Sequence, residues 1–171
     1  MKKISFLLAC LILFSCGNDY EEFCTYYHAN FSCDITNVPF NAVNSMGQFI
    51  TVRKKSVNMS CDVYNPSLNK TYSVPLAEVD ARYAEFGLGG LIIGQPYFND
   101  GTTFYAYDLA CPQCDKAYTR LTINAQGTAS CAKCGNVYDL NNSGFIIEGE
   151  GRPLYRYHVT QSSVNTIYVH N

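Results

Sequence analysis

Four cysteines constrain this chain more than any other feature. They read Cys111-Pro-Gln-Cys114 and Cys131-Ala-Lys-Cys134, a Cys-x2-Cys-x16-Cys-x2-Cys arrangement within the spacing range of a structural metal site. Two residues between thiolates let a tight turn point both sulfurs at one ion, and two such knuckles complete a tetrahedron. Pro112 stiffens the first knuckle, and Gly135 supplies a flexible position after the second. Cys111, Cys114, Cys131 and Cys134 are therefore the candidate metal ligands. Four thiolates leave no open coordination position, so the ion they would hold is structural and not catalytic.

The surrounding sequence reads as strands and turns. The segment "FITVR" within 48–54 is rich in β-branched and aromatic residues, as strands are. "NFSCDI" and "MSCDVY" read the same way, and "NPSLN" at 65–69 is a turn by composition. After the first pair, "YTRLTI" turns through "NAQG" to the strand carrying Cys131. "NVYDL" leaves the second pair and turns at "NNSG". "PLYRYHV" and "TIYVH" form a last hairpin across "TQSSVN". Fourteen tyrosines and ten phenylalanines with no tryptophan suit half-buried strand faces.

One segment breaks the pattern. "PLAEVDARYAEFG", 75–87, places Leu76, Val79, Tyr83 and Phe86 on one helical face. Pro75 suits the first turn and Gly87 the exit, so a short helix is expected near 75–86. The glycine-rich "GLGGLIIG" that follows fails as a dinucleotide fingerprint, because position 92 is isoleucine and no helix follows. It reads as a glycine hinge leading into a buried strand.

The N-terminus has the layout of an export signal. Lys2 and Lys3 precede an apolar run of eleven residues, 4–14, too short to span a bilayer. Leu13-Phe14-Ser15-Cys16 resembles a bacterial lipobox, with Cys16 as the lipidated residue. Cys10 would leave too few apolar residues before the cut. Lipid anchoring through more than one acyl chain is durable, since each buried CH₂ contributes about 0.8 kcal/mol. The expected organisation is a signal peptide over 1–15, a tether over 16–24, and one β domain over 25–171. The expected location is the bacterial outer membrane, on its periplasmic or cell-surface side. A net charge of -2 argues against nucleic acid as a partner.

Context around the cysteines resembles the Rieske iron–sulfur domain. The strand "FYAYDLACP", the knuckle "CAKCGNVYDL" and the tail "SGFIIEGEGRPLYRYHV" follow that family's order: apolar strand, first ligand pair, hairpin, second pair, Tyr-Asp-Leu, glycine turn, Pro-Leu, closing strand. The resemblance covers about 88–171, and Tyr138, Asp139, Leu140, Gly144, Gly151, Pro153, Leu154 and Tyr157 carry its most specific part. It implies an antiparallel Rieske-like sandwich bearing a rubredoxin- or zinc-ribbon-like two-knuckle subdomain over about 105–145. The fold class expected is thus all-β with one short helix.

The ligands depart from that family. Gln113 and Cys134 stand where its two histidines ligate iron, while Cys111 and Cys131 hold its cysteine positions. The three histidines His28, His158 and His170 lie near neither knuckle in sequence. Thiolates in place of imidazoles add negative charge and would lower a cluster's potential, so Rieske redox chemistry does not carry over. Iron–sulfur clusters are generally built in the cytosol, and this signal carries "KK" and no twin arginine. A chain exported unfolded can take zinc afterwards. Zinc is the expected ion, with a [2Fe–2S] cluster, a single iron, disulfides or empty thiols as the alternatives. A thiol–disulfide redox pair would need a βαβ context that the sequence lacks.

Cys24, Cys33 and Cys61 remain. Cys33 and Cys61, on expected facing strands, are the candidate disulfide, worth about 2–4 kcal/mol. Otherwise they are buried thiols acting as small hydrophobes. No Ser/His/Asp set, open metal site or plausible carboxylate pair marks an enzyme. The reading is a lipid-anchored binding or assembly module, with the membrane and an unknown protein or small molecule as partners. The alternative is an electron-transfer protein.

Overall fold

Alternation along the first strand shows how the main core is made. The computed structural model describes residues 23–55 and 59–171. The expected signal peptide, the Cys16 lipidation site and the tether up to residue 22 lie outside the described residues. Strand β1 (Ala29–Asp34) buries Ala29, Phe31 and Cys33 and turns Asn30, Ser32 and Asp34 outward, the period-two pattern of a half-buried strand. Its antiparallel neighbour β13 (Thr166–His170) buries Ile167 and Val169, which pair in register with Cys33 and Phe31.

The remaining elements are β2 (Phe49–Lys54), β3 (Ser60–Asn65), β4 (Lys70–Pro75), α1 (Glu78–Tyr83), β5 (Glu85–Phe86), β6 (Leu91–Gly94) and β7 (Tyr105–Asp108). Then follow β8 (Thr122–Ile123), β9 (Thr128–Ser130), β10 (Val137–Asp139), β11 (Phe145–Glu148) and β12 (Arg156–Ser163). Nine strands form one sheet in the order β4-β3-β2-β6-β7-β12-β13-β1-β5, and four form a second, β11-β10-β9-β8. The ladders are antiparallel. The protein is all-β, with one short α-helix and one 3-10 helix (Phe40–Asn44) among the described residues.

The large sheet curls on itself. Phe31, Cys33 and Val169 from one side share a core with Ile50, Val52, Cys61, Val63, Leu91 and Ile93 from the other. The small sheet covers its outer surface: Phe49, Ile92 and Tyr107 pack against Ile123, Ala129, Tyr138, Leu140 and Leu154 in a second core. Strand β6 therefore has no solvent face, and all four of its residues are buried. That explains why "LIIG" is continuously apolar where β1 alternates.

Local turn chemistry matches the sequence. The Asn65 side-chain oxygen accepts from the Ser67 and Leu68 amides at 3.0 and 3.3 Å. Asn124 does the same for Gln126 and Thr128 at 3.0 Å each, so both asparagines build the turns that composition indicated.

Three expectations change. The helix is only six residues long, Pro75 ends β4, and Phe86 pairs with Ala29 in β5. Tyr83 is 66% exposed, so the expected apolar helical face is broken; the side chain of Val79 lies outside what is described. A helix this short gains little from propensity, and strand pairing takes its flank. The last hairpin is tighter than "TQSSVN" implied, because β12 runs to Ser163 and only Val164 and Asn165 separate it from β13. Cys24, assigned to the tether, is packed in the main core, its amide bonded to the Arg156 carbonyl at 2.7 Å.

Cys33 and Cys61 are free thiols in the same core. Burial pushes Cys33 up to about 12, with Cys61 nearby adding to it, and burial pushes Cys61 up to about 11. The folded protein thus keeps two protons that the unfolded chain releases near pH 9. Their contribution is complete below that pH and is lost as pH rises towards 11 and 12, at about 1.4 kcal/mol per pH unit for each thiol. The expected outcome is a falling urea midpoint between pH 9 and 11, with a shallower fall in Cys33→Ala. Folded protein at pH 8 should also resist alkylation at both positions. A midpoint indifferent to pH, or ready alkylation, would contradict this burial.

Candidate metal centre

The first knuckle is held at the end of a hairpin. Beyond β7, the Leu121 amide bonds to the Leu109 carbonyl and the Cys111 amide to the Thr119 carbonyl, each at 2.9 Å. Within the loop, the Cys111 carbonyl accepts from the Cys114 and Asp115 amides at 3.2 and 2.9 Å. The second knuckle joins β9 to β10 and repeats the device. The Cys131 amide bonds to the Asn136 carbonyl and the Gly135 amide to the Cys131 carbonyl, again at 2.9 Å. In both, the residue after the second cysteine is left-handed: Asp115 at φ 49° and Gly135 at φ 81°. Glycine suits that position in the second knuckle. Aspartate tolerates it in the first, and its carboxylate is anchored by the Tyr27 and Tyr155 hydroxyls at 2.8 and 2.7 Å. Those hydroxyls, Tyr155 first, hold the Asp115 carboxyl below its usual range.

These turns bring all four sulfurs together. Every Sγ of Cys111, Cys114, Cys131 and Cys134 lies within 4.8 Å of the others. Cys111 to Cys134 is 3.6 Å and Cys114 to Cys131 is 3.9 Å. A tetrahedral ion with metal–sulfur bonds near 2.3 Å needs sulfur–sulfur edges of about 3.8 Å. The four cysteines expected as ligands therefore converge, and the set can hold a metal ion. All four are free thiols in the structure. No histidine belongs to the group.

The protonation pattern suits a cation. Burial raises Cys111 and pushes Cys114 up to about 12, with the neighbouring thiols adding to both. Burial acts upward on Cys131 too, but the Cys134 and Lys133 amides and the adjacent thiols bring it down to about 7. Cys131 thus takes a negative charge readily, whereas Cys111 and Cys114 resist one. A bound cation supplies the countercharge that removes the remaining protons.

A second layer of side chains fixes the ligands. Tyr138 is fully buried, with its hydroxyl 3.7 Å from the Cys111 sulfur. Asn136 donates to that hydroxyl at 3.3 Å, leaving the phenolic proton for the sulfur, and also donates to the Glu150 carbonyl at 2.8 Å. The loop 149–151 closes over both knuckles. A Cβ on Gly149 would stand 2.3 Å from Asn136 Oδ1, and one on Gly151 2.2 Å from Gln113 Oε1.

Sequence reasoning missed Asp108. Its carboxylate is fully buried and accepts four hydrogen bonds. The donors are the amides of Leu88 at 2.5 Å, Gly89 at 2.9 Å and Ala110 at 2.7 Å, and the Tyr157 hydroxyl at 2.7 Å. Burial raises its pKa, while the four donors pull the other way. The glycine run is therefore an anion cradle, but the anion is the protein's own. Glycine at 89 is required by contact, since a Cβ would stand 2.6 Å from the Ala110 nitrogen. The readable signal was an aspartate among apolar residues, three positions before Cys111.

Compared with known proteins, the chain matches no protein-family model, no curated protein and no solved structure. Fold and site define a class all the same: an antiparallel β protein carrying a closed cluster of four cysteines able to hold a metal ion.

Proposed function

We propose that the protein is an envelope lipoprotein and a Rieske-like binding or assembly module, whose four cysteines hold zinc as a structural clamp. The single observation that carries the metal reading is the convergence of four sulfurs within 4.8 Å. One ion fits inside such a set, whereas a two-iron cluster would hold its ligand pairs further apart. Zinc would draw its ligands from Cys111, Cys114, Cys131 and Cys134 and supply no open position, so it would cross-link two loops. The Rieske-like reading is supported by the order of elements. Two cysteine loops are followed by a glycine-bearing loop, 149–151, in the order that the sequence resemblance implies, and this loop packs on Gln113 and Asn136. The lipid anchor rests on the signal-like N-terminus.

Metal analysis with a visible spectrum of protein recovered from its native envelope tests this. Colourless protein with one zinc per chain is expected. Iron with sulfide-to-iron charge-transfer bands would overturn the clamp in favour of electron transfer. Tyr138→Phe should weaken zinc binding roughly tenfold while leaving the fold intact, because it removes a hydrogen bond to a ligand sulfur. A chelator competition measures it, and unchanged affinity would remove Tyr138 from the site's support.

A further inference from the structure

A cleft of about 490 Å³ opens beside the first knuckle, and the cysteine chemistry makes no use of it. Its walls include Tyr26, His28, Arg53, Lys54, Glu85 and Arg120, over the glycine loop 87–90. Three permanent cations thus face one carboxylate, on a chain of net charge -2. Cations gathered in a concave surface focus potential on a small anion. The volume is that of a small-molecule site.

Each cation retains capacity for a ligand. Arg120 Nε donates to the Gly89 carbonyl at 2.7 Å, which anchors the guanidinium through one of its three nitrogens. Lys54 caps the exit of α1, donating to the Ala81 and Ala84 carbonyls at 3.4 and 3.2 Å, and an ammonium has a third proton. Arg53 stands 3.9 Å from Asp62, whose closer partner is Lys55 at 2.9 Å. The floor offers little, because the Leu88 and Gly89 amides are turned inward to Asp108. Recognition therefore falls to the side chains. Tyr26, half exposed and braced edge-on by Tyr27 and Tyr155, adds a flat surface with an apolar ring and a polar tip, suited to a sugar ring.

We propose that this cleft binds a small anionic sugar, its carboxylate or phosphate held by Arg120 and Arg53 and its ring laid against Tyr26. The proposal is independent of which ion the cysteines hold.

Amide chemical shifts of the folded, metal-loaded protein test it, with glucuronate, glucose 6-phosphate and glucose as probes. At least one of the two anions should shift the amides of His28, residues 87–90 and Arg120, and bind tenfold or more tightly than neutral glucose. The tighter of the two identifies the head group. Binding should weaken as salt is raised. Arg120→Ala should weaken the anion at least tenfold. Lys116→Ala, an exposed cation outside the cleft, should leave binding unchanged. Arg53→Ala, on the exposed end of β2, repeats the test should the Arg120 variant fail to fold. Equal binding of glucose, shifts centred elsewhere, no binding by either anion, or full affinity in a folded arginine variant would each overturn the proposal.

Discussion

Replacing Cys131 by serine should release the proposed zinc and collapse the small sheet while much of the large one survives. Little else holds that region. Strands β8, β9 and β10 contain two, three and three residues, too few for ladder bonds to offset the entropy of ordering them. Cys111 and Cys131 are themselves buried in the second core, so their sulfurs are packing atoms as well as ligands. Structural zinc contributes on the order of 10 kcal/mol in peptides that have no other core. Here the second core shares that task, and a loss of several kcal/mol is the expected scale. Zinc content should fall from one equivalent to near zero and the melting temperature by ten degrees or more. Mild acid should do the same to the native protein, because thiolates that regain protons give up the ion. A folded Cys131→Ser protein that keeps a full equivalent of zinc, or melts unchanged, would remove the clamp.

Asp108→Ala should be the most damaging change outside the cysteines. It strands two buried amides, one part-buried amide and one buried hydroxyl, and each unsatisfied buried donor costs about 1–3 kcal/mol. Partial relaxation and water entry reduce the sum, leaving roughly 4 kcal/mol or more, a large part of a domain's total stability. Tyr157→Phe provides the scale. It removes one donor, leaves the carboxylate three amides, and should cost about 1 kcal/mol. Urea denaturation of both variants measures the ratio. Near-equal losses would mean that the carboxylate is not the keystone that its four donors indicate.

The parts legible in the sequence were the local ones. A two-residue spacer within each cysteine pair and a period-two pattern in "NFSCDI" are readable because neighbours along the chain decide them. The pairings of β12 with β7 and of β13 with β1 depend on contacts across many tens of residues, which no local pattern encodes. The helix was overextended because Phe86 has helical spacing from Tyr83, yet its partner in the structure is Ala29. Asp108 went unread because an aspartate ending a strand usually faces water. Only the fold shows that the glycine loop from residue 87 arrives on top of it. The convergence of the four sulfurs could be anticipated, and Tyr138 stood out in the resemblance; that its hydroxyl backs the Cys111 sulfur with Asn136 behind it could not, since a buried hydroxyl looks like any other aromatic position.

Strand β6, buried on both faces, has a further consequence for how this sequence can change over time. Leu91 and Ile93 belong to one core and Ile92 to the other, so no position among these three is spare. Truncating any of them to alanine would cost about 2–5 kcal/mol, and a polar residue would be stranded whichever way it pointed. The strand is a stretch where drift is nearly forbidden, whereas β4, with no fully buried residue and only Val74 packed against the core, is far less constrained. Divergent relatives of this chain should be sought by the "GLGGLIIG" hinge and strand as much as by the cysteines.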